Sequence, residues 1–371
     1  MTTTTNNEQK KLNVPNLRFP EFQGEWELCK ISNILSIGNG RDYKHLEKGN
    51  IPVFGTGGYM TSVNDYLYDG ETTFIGRKGT INKPYYYKGK FWTVDTLFYT
   101  HSFDGVTPHF VYCLFQTINW LKYNEASGVP SLSKDTIEKI KVYIPQIKEQ
   151  QKISRLILLL DERIATQNKI IEDLKKLKSA IIEKLYKEIQ GTWYSYRQLF
   201  SIINERNKQL EYSNVLSASQ ERGMVSREDL NLDIHFERSN ISTYKIVKNG
   251  DYVIHLRSFQ GGFAFSEKTG ICSPAYTVLR PNNLLVYGYL SNYFTSRDFV
   301  KSLIIVTYGI RDGRSINVDE WLDMKVVVPS KEQQTHIVNV IESIENKIKN
   351  EETYSNCLLN QKQYLLRQMF I

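Results

Sequence analysis

Four cysteines occur in 371 residues, Cys29, Cys113, Cys272 and Cys357, and no two stand in a CxxC pair. Such wide spacing suggests neither a disulfide framework nor a zinc knuckle and fits a reducing compartment. The longest aliphatic run covers only residues 156–160, against the roughly 20 apolar residues that a membrane-spanning helix needs. The opening "MTTTTNNEQKK" carries no apolar segment of the kind a secretory leader requires. Residues 1–17 therefore read as a disordered tail on a cytoplasmic chain with no membrane contact.

Signatures of chemistry are also missing. There is no Asn/Asp-Pro-Pro-aromatic motif of adenine methyltransferases, no GxGxxG opening, no Walker A loop and no zinc-ligand spacing. His109 and Cys113 stand four apart inside "HFVYCLFQTINWL", an apolar stretch where core packing is the ordinary role. His235 and His255 have no thiol or carboxylate at ligand spacing, and Asp161 and Glu162 read as the solvated or partner-facing flank of a helix. No catalytic residue and no metal site is expected.

Hydrophobic residues at 41% are enough for real cores, and 371 residues exceed what one core usually covers, so two or more domains are expected. The net charge of +7 suits an anionic partner. The 24 tyrosines suit surfaces that bind something, although Tyr-rich β domains also account for them.

The strongest internal signal is a repeat. Displacing the chain by 184 positions aligns Asp135 with Asp319, Lys141 with Lys325, Val142 with Val326 and Pro145 with Pro329. "KEQQ" follows the Pro in both copies but one position out of step, so the shared feature is a Pro followed by a polar helix start. Beyond it, Ile153, Ile157, Leu160, Ile164, Ile171, Leu174, Ile181 and Leu185 step four and three apart, with Gln167 and Lys178 as polar places on the seam. The second copy continues with Ile337, Ile341, Ile344, Ile348, Leu358, Leu365 and Met369, and Glu351, Ser355 and Lys362 fill the remaining places. A period of 3.5 is that of a coiled coil, in which polar seam places cost stability and fix pairing. Each stripe predicts roughly 50 Å of helix, too long for a small domain to cover, so the two seams are expected to bury each other in antiparallel fashion.

Before each stripe lie β-like runs punctuated by Gly, Pro and Asn. They predict globular domains at 18–144 and 191–328, with spacer helices at 145–190 and 329–371. The domain ends "GVPSLSKDTIEKIKVYIP" and "GRSINVDEWLDMKVVVP" share a Gly-rich loop, a short helix and a β-branched strand running into Pro, and the domain starts share "GEW" and "GTW". The fold class is α+β: two α/β domains carried by an antiparallel helix pair with pseudo-twofold symmetry, an internal duplication that imitates a dimer.

Affinity for duplex DNA comes from cations near phosphates, and discrimination from side chains that reach base edges. In the first domain Arg77, Lys78, Thr80, Asn82, Lys83, Tyr85 and Lys88 form a basic, aromatic-interleaved loop, and "GNGRDYKHLEKGN" adds Arg41, Tyr43 and Lys44 with glycines that permit approach to a phosphate. A solvated hairpin explains the same residues. In the second domain Ser217, Ser219, Gln220 and Arg222, then Arg257, Ser258 and Gln260, then Arg311 and Arg314, are the candidates. Gln can pair with adenine and Arg with guanine.

This order of parts resembles the specificity subunit of type I restriction-modification systems. The resemblance rests on "LRFPEFQGEWE", on "GTGGYMTSVNDYLYDGETTFIGRKGTINKPYYYKGKFWTVDTLFY", and on "PQIKEQQKI" with "LDERIATQNKIIEDLKKLKSAIIEKLY", and the order of parts covers nearly the whole chain. It implies a non-catalytic subunit whose two target recognition domains each read half of a split, asymmetric site in double-stranded DNA. It also implies two methyltransferase and two restriction subunits as partners, which use S-adenosylmethionine, ATP and magnesium. A coiled-coil scaffold with protein- or RNA-binding domains is the competing reading.

Overall fold

Proline at 145 and 329, where a helix cannot yet run, is followed within two residues by uninterrupted helix-forming sequence, and the two longest elements begin there. In the computed structural model they are helices Ile147–Lys187 and Lys331–Met369. The structure describes residues 13–219, 222–230, 238–255, 262–308 and 315–371. It divides into one unit of residues 1–168 and 353–371 and a second of residues 169–352, so each long helix contributes a part to both.

In the first unit a six-stranded sheet has the order Ser36–Asn39, Leu97–His101, Tyr68–Gly76, Tyr85–Thr93, Lys48–Gly55, Gly58–Val63. Alternation along the third of these sends Phe74 to one face, among Phe54, Tyr68, Tyr85, Tyr87, Phe91 and Tyr99, and Ile75 to the other, where the main core lies. That core contains helix Pro108–Thr117, which starts on Thr107 and a Pro as helix starts favour. Ile153 and Ile157 of the first long helix and Leu366 and Met369 of the second are buried in it, and the Phe370 ring stands 5.4 Å from Phe110 and 6.0 Å from Trp26.

Residues 13–17, assigned to the tail by composition, are held in place instead. Asn13 accepts from Trp26 N–H at 2.8 Å, and Leu17 N–H donates to the Gln368 carbonyl at 2.8 Å. Arg18 follows with a bidentate pair, both bonds 2.8 Å, to buried Glu149. The rest of that tail, residues 1–12, lies outside the described residues.

In the second unit a four-stranded sheet has the order Phe200–Ile203, Thr277–Pro281, Tyr252–Ile254, Phe263–Phe265. Its core is aromatic, with Tyr196 stacked on Trp321 at 4.3 Å. Buried Asp251 is closed by Arg280 through bonds of 2.9 and 2.8 Å.

Each unit repeats one set of contacts at the 184-residue displacement. The Gln150 side chain donates to Gly105 and Pro145 carbonyls and accepts from Thr107 N–H, all within 2.9–3.0 Å. Gln334 does the same with Leu284, Pro329 and Val286 at 2.8–3.1 Å. The tetrapeptide is thus out of step while the buried glutamines are in step, because the second Gln of the later copy matches the first Gln of the earlier one. The "GEW" and "GTW" starts, by contrast, do not correspond. Glu27 pairs with Ile144 and Thr192 with Val328 in equivalent ribbons, which leaves Trp26 buried at 2% exposure and Trp193 on the surface at 65%.

The helix pairing is antiparallel within each unit. In the first, Asp161 meets Lys362 and Asn168 meets Ser355; in the second, Lys175 meets Glu352 and Lys178 meets Glu345. Of the seam residues, Ile153, Ile157, Ile164, Ile171, Ile337, Ile341, Ile348, Leu358 and Met369 are buried. Leu160, Leu174, Leu185 and Ile344 are half-buried. At the helix ends the strict heptad slips, so Ile182 and Leu366 are buried where Ile181 and Leu365 were expected. An α-helix of 3.6 residues per turn drifts from a 3.5 repeat, and at these ends it meets a globular core rather than a second helix alone.

Candidate nucleic-acid interface

The first unit gathers separate basic segments at one end of its sheet. Arg77 N–H donates to the Thr96 carbonyl at 2.8 Å, and Arg41 N–H to the Thr93 carbonyl at 2.7 Å, so residues 93–96 anchor both. The Arg77 carbonyl accepts from Leu132 N–H at 2.9 Å and Gly79 N–H donates to the Pro130 carbonyl at 2.8 Å, which clasps residues 77–79 to residues 130–132. Gly40 serves this assembly, because a Cβ there would lie 1.9 Å from the Val94 carbonyl oxygen. Its close approach is to its own chain.

Between the clasped loops lies a cleft of about 420 Å³ lined by Asn39, Arg77, Lys78, Phe98, Glu125, Leu132 and Lys134, with Ser131 and Ser133. The Arg77 guanidinium lies over the ring of buried Phe98, 5.8 Å from its centroid. Glu125 accepts from Ser133 N–H at 3.1 Å and from its hydroxyl at 2.7 Å. Hydrogen bonds from Thr136 and Ser133 hold its carboxyl below the usual range. Among the described residues no carboxylate pairs with Arg41, Lys44, Arg77, Lys78 or Lys83, and Lys134 reaches Glu138 at 3.5 Å.

The expected basic loop is shorter than the sequence suggested. Residues 77–84 form it, carrying Thr80, Asn82 and Lys83 exposed, whereas Tyr85 and Lys88 belong to strand Tyr85–Thr93. Tyr85 is drawn into the aromatic cluster, 4.8 Å from Phe74, and burial pushes its phenol up. Lys88 faces Glu71 across the ladder at 3.0 Å. Tyr43 packs with Val53, Val63 and Trp92, and Lys44 is exposed. β-Branched and aromatic residues favour pleated surface, so "PYYYKG" continues the strand rather than the loop.

In the second unit Ser217 and Ser219 lie on strand Leu216–Ser219, paired with Gly223–Ser226. Ser217 is buried and accepts from the Arg227 guanidinium at 3.2 Å, which gives it a structural partner. Arg222, in the intervening turn, reaches the Asp229 carbonyl at 3.5 Å. His255 N–H donates to the Gly262 carbonyl at 2.7 Å, and burial pushes the imidazole down. Gln220, Arg257, Ser258, Gln260, Arg311 and Arg314 lie outside the described residues.

Asn39, Phe98, Glu125 and Lys134 were not found from sequence. The signal for Lys134 was the "GVPSLSKD" loop, noted there only as a repeat boundary, and Asn39 stands in "GNGRDYKHLEKGN", singled out for other residues; closure of the former loop onto Arg77 joins residues more than fifty positions apart. Among the described residues no group of three or more His, Cys, Asp or Glu is placed to hold a metal ion, and no helix is long and apolar enough to cross a membrane.

Residues 23–176 match the family model of the type I restriction modification DNA specificity domain. A putative type I restriction enzyme specificity subunit of Haemophilus influenzae is 22% identical over 349 residues, covering 86% of this chain and 87% of its own length. A type I restriction enzyme specificity subunit of Methanocaldococcus jannaschii is 24% identical over 263 residues, 60% of each chain. The crystal structure of a type I restriction-modification system S subunit from M. genitalium superposes with a TM-score of 0.60 at 13% identity, covering 96% of this chain and 99% of that one.

Proposed function

We propose, from the premise that this chain belongs to the family of type I restriction-modification specificity subunits, that each unit reads one half of a bipartite, asymmetric DNA site. The observation that carries this reading is the loop end of the first unit's sheet, where three segments bring Arg41, Arg77 with Lys78, and Lys134 together, and among the described residues no acidic partner pairs with Arg41, Arg77 or Lys78. Cations so placed supply phosphate affinity, and a cleft with mixed polar lining supplies room for base edges. Repeated buried glutamines and repeated Lys–carboxylate pairs give both units one frame, while unlike sheets allow unlike sequences to be read.

Catalysis is supplied in trans. Two methyltransferase and two restriction subunits act in the cytoplasm at the chosen site and use S-adenosylmethionine, ATP and magnesium. The long helices are spacer and dock: in the first unit Leu159, Leu359 and Tyr364 stand exposed on them, and in the second Ile170 and Leu177, apolar side chains suited to partner helices.

The test is a map of methylated adenines in cells that express the chain with its methyltransferase. A bipartite motif is expected, and removing one matched heptad from each long helix should alter the gap and leave both half-sites intact. An unchanged gap would remove the helices from the role of spacer; the absence of salt-dependent duplex binding would remove DNA as the ligand.

A further inference from the structure

The geometry points to Arg77 as a base-reading cation of the first unit, with Asn39 beside it and Lys78 as a sequence-blind phosphate contact. This deepens the DNA-recognition reading and rests on it. The argument is one of pre-organisation. Reading a guanine edge takes a guanidinium fork held in a fixed plane, whereas a phosphate needs only a nearby charge.

Arg77 is fixed at every level the structure displays. Its N–H is tied to Thr96 at 2.8 Å and its carbonyl to Leu132 at 2.9 Å, so the main chain is held from both sides of the cleft. Its guanidinium rests over Phe98, a ring only 2% exposed that cannot move away. Among the described residues the one hydrogen bond of its head group, to the Asp95 carbonyl, is long at 3.4 Å, which leaves the fork available. Ordering an Arg side chain on binding costs part of the affinity it brings, and here packing has already met that cost.

Asn39 is placed by the same ring, because it pairs across the ladder with Phe98 and lines the same cleft. An amide beside a guanidinium is the pair of side chains that recognises adenine and guanine edges in the major groove. Lys78 differs. Its main chain bridges to Ser131, and its ammonium, on a flexible stem, has neither a carboxylate partner among the described residues nor a ring beneath it. Glu125, the carboxylate in the cleft, is engaged by Ser133 and not by Arg77.

The experiment uses the full chain and a pool of duplexes with a randomised centre, sequenced after binding at several salt concentrations. The unaltered chain should enrich a bipartite motif. R77Q and R77K should each relax preference at one or two base pairs of one half-site by roughly tenfold and leave the other half-site untouched. Lys78→Ala should weaken every sequence alike and lower the salt slope by about one, with the motif unchanged. Should both variants keep the motif, with R77Q lowering the salt slope and R77K leaving it unchanged, Arg77 is a phosphate contact and the inference fails while DNA recognition stands. If the unaltered chain enriches nothing and binds duplex without salt dependence, recognition itself fails. Retained thermal stability of R77K separates a lost contact from a lost fold.

Discussion

Lys362 offers the sharpest test of how the helices are paired. Its ammonium lies 2.5 Å from the Asp161 carboxylate and 5.6 Å from the Tyr112 ring, and the side chains are 11% and 28% exposed. An exposed pair is worth up to about 1 kcal/mol, and breaking a fully buried one costs about 3–5 kcal/mol, because the partner charge is left uncompensated. With one partner nearly buried and the other partly wet, Lys362→Met should cost about 2 kcal/mol. For a unit of this size that is a melting-point fall of roughly 4–8 °C. Replacing both residues, with Lys362→Met and Asp161→Leu, removes the uncompensated charge and should recover most of the loss. The equivalent pair in the second unit, Lys178 and Glu345, lies at 2.6 Å, but Glu345 is 43% exposed, so Lys178→Met should cost less than half as much. Urea denaturation of the four variants of the 161/362 cycle, with hydrogen exchange at residues 153–164 and 355–369, measures the coupling. Additivity within about 0.3 kcal/mol would refute the claim that this pair fixes the helix pairing.

Three further outcomes are expected. Gln150→Leu and Gln334→Leu should each destabilise by roughly 2 kcal/mol, since each strands a buried carbonyl at Pro145 or Pro329 and two half-buried bonds, with Gly105 and Thr107 or with Leu284 and Val286; faster hydrogen exchange confined to the unit carrying the change is the readout, and exchange spread equally over both would count against it. Maleimide should label Cys357 in the native chain and spare Cys113 and Cys272, whose thiols burial pushes up to about 12, until the chain unfolds. Burial also pushes the His109 and His255 imidazoles below 6.5, so folding favours their neutral forms. Their contribution to stability is complete above pH 6.5 and falls as pH drops towards the folded values, so a variant with Gln at both positions should show a flatter profile between pH 7 and 5 in thermal melts.

The long helices were legible because a seam is written locally. Residues three and four apart meet on one face whatever surrounds them, so the stepping from Ile153 and from Ile337 declared both the elements and their common register. The polar places on that seam were visible too, but not their partners. Lys362 finds Asp161 only when the chain has returned on itself, and Ser355 finds Asn168 in the same way. The candidate interface was half legible. Arg77 and Lys78 stand out as cations beside glycine, whereas Phe98 and Asn39 look like ordinary strand residues until the ladder pairs them under the guanidinium.

By itself, the sequence determined whatever has a short period or a short range: where the two helices start and run, which residues share their seams, that the chain is a duplication, and that it carries excess positive charge. Tertiary structure alone decided which glutamines correspond, which tryptophan is buried, which tyrosines are core and which cations share a cleft. Those outcomes depend on contacts between residues tens to hundreds of positions apart. Such contacts form only once sheet registers and helix pairing are set, and no local pattern encodes them.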